Sequence, residues 1–117
     1  MSNAASAVRL RKGREFDLIF RTGIRVNGDL VRLLYLKDDE PKIKFGCAVG
    51  KKLGKAHVRN RGKRILRAAF KKFLSAKKLI PGLKIVLNLK ENGLDSKSHE
   101  IAVELEKLFR RKNLIQN

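Results

Sequence analysis

Residues 42–90 read KIKFGCAVGKKLGKAHVRNRGKRILRAAFKKFLSAKKLIPGLKIVLNLK. Over Lys42–Val49 the residues alternate with a period of two, as in a half-buried strand. From about Ala56 to Ala76 the period lengthens, and Ile65, Leu66, Ala69, Phe70, Phe73 and Leu74 form one apolar stripe of a helix. Pro81-Gly82 breaks the chain. Leu83, Ile85, Leu87 and Leu89 then alternate with Lys84, Val86, Asn88 and Lys90 as a second strand. A helical crossover between two strands is what parallel pairing needs, and the general rule makes it right-handed.

On the N-terminal side, basic Arg9–Arg14 leads into Glu15–Phe20, where Phe16, Ile19 and Phe20 fall at helical spacings. The spacing predicts a short first helix ending at Gly23. Ile24–Gly28 is readable as a short strand or, around Asn27-Gly28-Asp29, as an open turn. Leu30–Lys37 reads as a strand, and the acidic turn Asp38-Asp39-Glu40-Pro41 predicts a hairpin with 42–49. Toward the C-terminus, Ser96 or Ser98 can cap a helix with Ile101, Leu105, Leu108 and Phe109 on its apolar face. Helices covering one sheet make an α+β sandwich.

A chain of 117 residues suits one domain: residues 9–117, preceded by a flexible arm at 1–8. Met1–Ala7 lacks the basic start and apolar centre of a secretory signal. The apolar runs fall far short of the roughly 20 residues that cross a bilayer, so a cytoplasmic protein is expected. Cys47 has no disulfide partner in the chain, and Phe45 and Val49 at strand spacing predict a buried thiol. Cys47, His57 and His99 form no cluster of zinc-ligand spacing.

The net charge is +18, with 43% hydrophobic residues. Lys51–Lys78 holds twelve Lys or Arg and no Asp or Glu, although the chain has eleven acids. Within it Arg59, Lys63, Arg67 and Lys71 recur every fourth residue, one cationic stripe along the helix. Like charges at that spacing repel, and a polyanion offsets the cost by releasing its counterions. In Lys51-Lys52-Leu53-Gly54-Lys55 the glycine allows close backbone approach, and the helix start adds free amides, which together suit phosphate. The segment therefore points to nucleic acid.

The run Val49-Gly50-Lys51-Lys52-Leu53-Gly54-Lys55-Ala56-His57-Val58-Arg59-Asn60-Arg61-Gly62-Lys63-Arg64-Ile65-Leu66-Arg67 resembles the signature of the bacterial ribonuclease P protein component. The likeness covers nearly the whole domain, including Phe16, Phe20, Gly23 and the final helix. It implies three helices on a four-stranded mixed sheet in the order α-β-β-β-α-β-α, ribosomal protein S5 domain 2-like. It also implies a left-handed βαβ crossover in place of the right-handed one.

For function, the resemblance implies a subunit of an endoribonuclease ribonucleoprotein that removes the 5′ leader of precursor tRNA. Its partners would be the catalytic RNA and precursor tRNA, with no membrane and no protein oligomer. Lys51, Lys52, Lys55, Arg59, Asn60, Arg61 and Arg64 would contact the catalytic RNA. Phe16, Phe20, Lys63 and Arg67 would hold the leader, whose unstacked bases can rest on rings while cations hold its backbone. Three positions depart from the family pattern, the first being Gly50, where the family often carries a serine. Gly62 replaces an apolar residue inside the helix, where glycine costs about 1 kcal/mol against alanine. Leu34 stands where many relatives carry a cleft aromatic, and neighbouring Tyr35 should face the other way.

A protein nuclease needs converging carboxylates for metals, or a general acid and base beside the phosphate. Glu15, Asp17, Asp38–Glu40, Glu100 and Glu104 are dispersed, and a lone His57 in a basic loop suits a phosphate or backbone contact better. No protein side chain is assigned to catalysis and no protein-held metal is expected. Magnesium would be the RNA subunit's. The competing class is a ribosomal or chaperone-like protein with the same basic surface and no processing activity.

Overall fold

The computed structural model of the protein describes residues 7–10 and 13–116. The elements run β1 (Ala7–Arg9), α1 (Arg14–Thr22), β2 (Ile24–Asn27), β3 (Val31–Lys37), β4 (Ile43–Val49), α2 (Ala56–Ala76), β5 (Lys78–Leu79), β6 (Leu83–Leu89), α3 (Ser98–Arg111) and β7 (Ile115–Gln116), with short 3-10 turns at Lys51–Leu53 and Glu91–Gly93. The main sheet has the order β1-β4-β6-β3-β2, and β5 pairs with β7 in a two-stranded ribbon. The α+β class, the three helices and the mixed sheet are as expected.

Two details differ. The sheet has five strands because β1, starting inside the segment expected to be a flexible arm, pairs in parallel with β4 at Ala7↔Ile43 and Arg9↔Phe45. The rest of that arm, residues 1–6, lies outside the described residues. Nor do β3 and β4 form the hairpin expected from Asp38–Pro41. β6 lies between them, antiparallel to β3 and parallel to β4. The crossover through α2 delivers β6 to the inner edge of β4, so the 38–42 link must step across it. That link is tied to the loop before β6: Asp38 N–H donates to Gly82 C=O at 2.8 Å, and Gly82 N–H to Pro41 C=O at 3.1 Å. The hairpin that does form is β2–β3, with Ile24 opposite Tyr35 and Asn27 opposite Arg32.

The sheet is covered on both faces. Val31, Leu33, Tyr35, Ile85 and Leu87 face Leu66, Phe70 and Phe73 of α2 and Ile101, Leu105 and Phe109 of α3 in the main core. Leu34 and Val86 face Ile19 of α1, with Phe16 and Phe20 against them. This two-sided cover explains the unbroken apolar run Leu33–Leu36, since a strand buried on both faces does not alternate. It also places Leu34 and Tyr35 on opposite faces, 0% and 5% exposed, so neither offers a ring to solvent.

Gly62 serves as a point of close approach, not a weak turn. A Cβ there would lie 3.0 Å from Leu89 Cδ2 and 3.1 Å from Val49 Cγ2, so its absence lets α2 sit low on the ends of β4 and β6. α3 begins at Ser98, and Lys97, between the two expected serine caps, holds the cap position. There the backbone N–H of Lys97 donates to the Glu100 carboxylate at 2.7 Å. No helix among the described residues is long and apolar enough to cross a membrane.

Candidate nucleic-acid interface

β1 is short, and its end opens the site. Leu10 N–H still reaches Phe45 C=O at 2.9 Å, and beyond it the outer edge of β4 from Gly46 to Val49 has no strand partner among the described residues. α1 passes on one side of this open edge and α2 on the other. The result is a groove with β4 as its floor.

One wall carries Phe16, whose ring lies against Gly46. The other carries Lys63 and Arg67. Together with Arg9, Leu10, Phe45 and Cys47 they enclose a cavity of about 160 Å³. A second hollow continues along Ala48 and Val49 between Phe16 and Lys63. Phe16, Lys63 and Arg67 are thus brought together as expected. Phe20, one helical turn away with its ring centre 6.5 Å from that of Phe16, packs on the second core cluster and supports Phe16.

The four-residue repeat shapes this wall. Each step of four advances about 40° around a helix, so the stripe turns from the sheet toward water. Arg59, Lys63 and Arg67 are half-buried and Lys71 is exposed. Arg59 is turned inward enough that its Nε is buried without a hydrogen-bond partner. Arg61 lies about 200° from Arg59 on the helix and is exposed, as are Asn60 and Arg64. The triplet 59–61 is therefore not one surface. Lys51, Lys52 and Lys55 are exposed on the loop before α2, where Gly54 has φ 150° and ψ −174°, a combination essentially confined to glycine.

Charge pairing separates the two sides of the molecule. On the α1 face Lys44 meets Glu15, Asp38 and Glu40 at 3.9, 4.0 and 3.4 Å, and Lys84 meets Glu15 at 3.7 Å. Among the described residues none of Lys63, Arg64, Arg67 and Lys71 makes an ion pair or a side-chain hydrogen bond. The groove cations are uncommitted.

Cys47 differs from the buried thiol expected. It is half-buried on the groove floor. Burial raises its pKa to about 11, against the opposing pull of Arg67, Arg9 and Lys63, so the thiol is protonated at neutral pH and a poor nucleophile. The sequence reading also missed Arg9 and Phe45. Gly46 inside a strand was the one local signal of close approach there.

A family model described as Ribonuclease P matches residues 5–113. The chain belongs to the ribonuclease P protein family. The ribonuclease P protein component of Rippkaea orientalis is 32% identical over 113 residues, covering 92% of this chain and 87% of that protein. That of Symbiobacterium thermophilum is 35% identical, covering 94% and 95%. The solved ribonuclease P protein from Thermotoga maritima superposes with a TM-score of 0.75 at 27% identity, covering 88% of this chain and 96% of the other. Membership implies an RNA partner for the basic surface. Among the described residues no three His, Cys, Asp or Glu side chains gather where they could hold a metal ion.

Proposed function

We propose that this chain acts in the cytoplasm as the protein subunit of the ribonuclease P ribonucleoprotein, assisting removal of the 5′ leader from precursor tRNA. The RNA subunit performs the hydrolysis and holds the magnesium. The exposed cations Lys51, Lys52 and Lys55 on the loop, with Asn60 and Arg61 at the start of α2 and Arg64 at their border, face the catalytic RNA, and the half-buried Arg59 joins that surface to the head of the groove stripe. The leader lies in the groove, a base against Phe16 and its phosphates on Lys63 and Arg67. Both contacts screen repulsion between two polyanions, which lowers the magnesium needed and raises substrate affinity.

The observation that carries this reading is the uncommitted pair Lys63 and Arg67 facing the Phe16 ring across an open strand edge. An aromatic platform beside free cations is how single strands are held without reading their sequence. Reconstitution with the catalytic RNA tests it. The chain should accelerate 5′ processing at low magnesium and favour leader-bearing over leaderless substrate. Absence of stimulation overturns the reading.

A further inference from the structure

The groove does not end at Arg67. Beneath the outer side of α2, between that helix and β1, lies a larger cavity of about 470 Å³. Its floor is apolar: Phe45, Phe70 and Leu74, with Ala7 and Ala68 at the sides. Phe45 is half-buried, one part of its ring held against Phe70 with centres 4.4 Å apart. The rim carries Arg9, Arg64, Arg67 and Lys71 and no acidic residue. Arg9, Phe45 and Arg67 also line the smaller cavity beside Phe16, so the two adjoin. The hollow exists because β1 extends the sheet and sets Arg9 opposite α2.

We propose that this cavity is a second nucleotide subsite, taking an unstacked base of the leader farther from the cleavage point than the nucleotide at Phe16. Three features select that occupant. An apolar floor with a half-buried ring suits a base and not a bare phosphate, and rim cations at the mouth suit the flanking phosphates. Its volume falls in the range of small-ligand sites. It also continues the groove away from the α2 start. This inference rests on the leader reading above: if the catalytic RNA sits at the 51–61 end, the leader enters there and its later nucleotides run toward Lys71.

The experiment measures precursor tRNA affinity in the reconstituted holoenzyme, with leaders extended one nucleotide at a time, for the wild-type chain, Lys71→Ala and Ala68→Glu. Both positions are exposed on α2, so folding is preserved. The wild type should gain affinity in two steps as the leader lengthens. Both variants should keep the first step and lose the second, a loss of roughly tenfold confined to long leaders, comparable to one base–aromatic contact. A uniform loss at every length marks Lys71 as general field and overturns the subsite. Weaker binding to the catalytic RNA without substrate assigns the cavity to that RNA, and overturns it too. If the wild type itself does not distinguish leader-bearing from leaderless substrate, the leader reading has failed and the subsite with it.

Discussion

The ring of Phe16 on α1 lies so close to the backbone of Gly46 on β4 that a methyl group on Gly46 would overlap the ring. The contact sets how far the aromatic wall stands from Lys63 and Arg67. Because the colliding atoms are the tip of a mobile side chain, Gly46→Ala should displace the ring into the groove and leave the fold intact. The expected cost is about 1 kcal/mol of stability, with a several-fold loss of affinity for leader-bearing substrate and none for leaderless. Thermal melting and paired binding titrations measure the two effects. A variant that keeps full leader discrimination would remove Phe16 from the site.

The division of the basic surface is tested by substitution. Arg61→Ala removes an exposed cation on the far side of α2 from the groove and should weaken binding to the catalytic RNA alone. Lys63→Ala and Arg67→Ala should spare that binding and reduce the preference for leader-bearing substrate. Each should also lower the slope of log affinity against log salt by about one. Equal losses for all three in both titrations contradict the division.

Local pattern carried some of these features and not others. The bounds of α2 and the faces of Phe70, Phe73 and Leu105 were readable because a helix buries residues at its own period. The β3–β4 hairpin was misread because Asp38–Pro41 has turn chemistry that suits a tight hairpin and a step across an intervening strand equally. Nothing within those four residues records that β6 arrives between them. β1 escaped because three residues carry no period, and with it went Arg9 and the cavity beside Phe45. Arg59 and Arg61 looked like one unit because adjacency in sequence conceals a half-turn of helix.

Gly62 offers a prediction on packing. In an open helix Gly→Ala stabilises by about 1 kcal/mol. Here the new methyl would press on Leu89 and Val49 at 3.0 and 3.1 Å, and overpacking costs about 1–3 kcal/mol. Gly62→Ala should therefore be destabilising by up to about 2 kcal/mol and Gly62→Ile by about 2–3 kcal/mol. Urea midpoints measure both. A stabilised alanine variant would mean that α2 can lift from the sheet.

The Glu104 carboxylate on α3 accepts the backbone N–H groups of Asp29, Leu30 and Val31 at 2.9, 2.8 and 2.8 Å. Lys90 Nζ donates to Gly28 C=O at 2.7 Å beside it. The β2–β3 turn is thus closed by a side chain from the other end of the chain. Removing an acceptor from partly buried donors costs roughly 1–3 kcal/mol, so Glu104→Ala should lose about 2–3 kcal/mol. Glu104→Gln keeps one acceptor oxygen and should lose about half as much. Hydrogen exchange at Asp29–Val31 should quicken in both before global unfolding does.

Cys47 gives a prediction with pH. Its pKa moves from the usual 9.0 to about 11 because burial disfavours the thiolate. The folded chain therefore keeps a proton that the unfolded chain releases first. Stability linked to this group is full below pH 9 and declines as pH rises toward 11, since there the unfolded state binds fewer protons. Alkylation with iodoacetamide should accordingly be slow at pH 8 in the folded protein and rise toward pH 11, whereas in denaturant its midpoint should fall near 9. Leader-bearing RNA should slow it further, both by covering the floor and by neutralising Arg67, Arg9 and Lys63, whose positive charges favour the thiolate. Rapid modification at pH 8 that RNA leaves unchanged would place the thiol outside the groove.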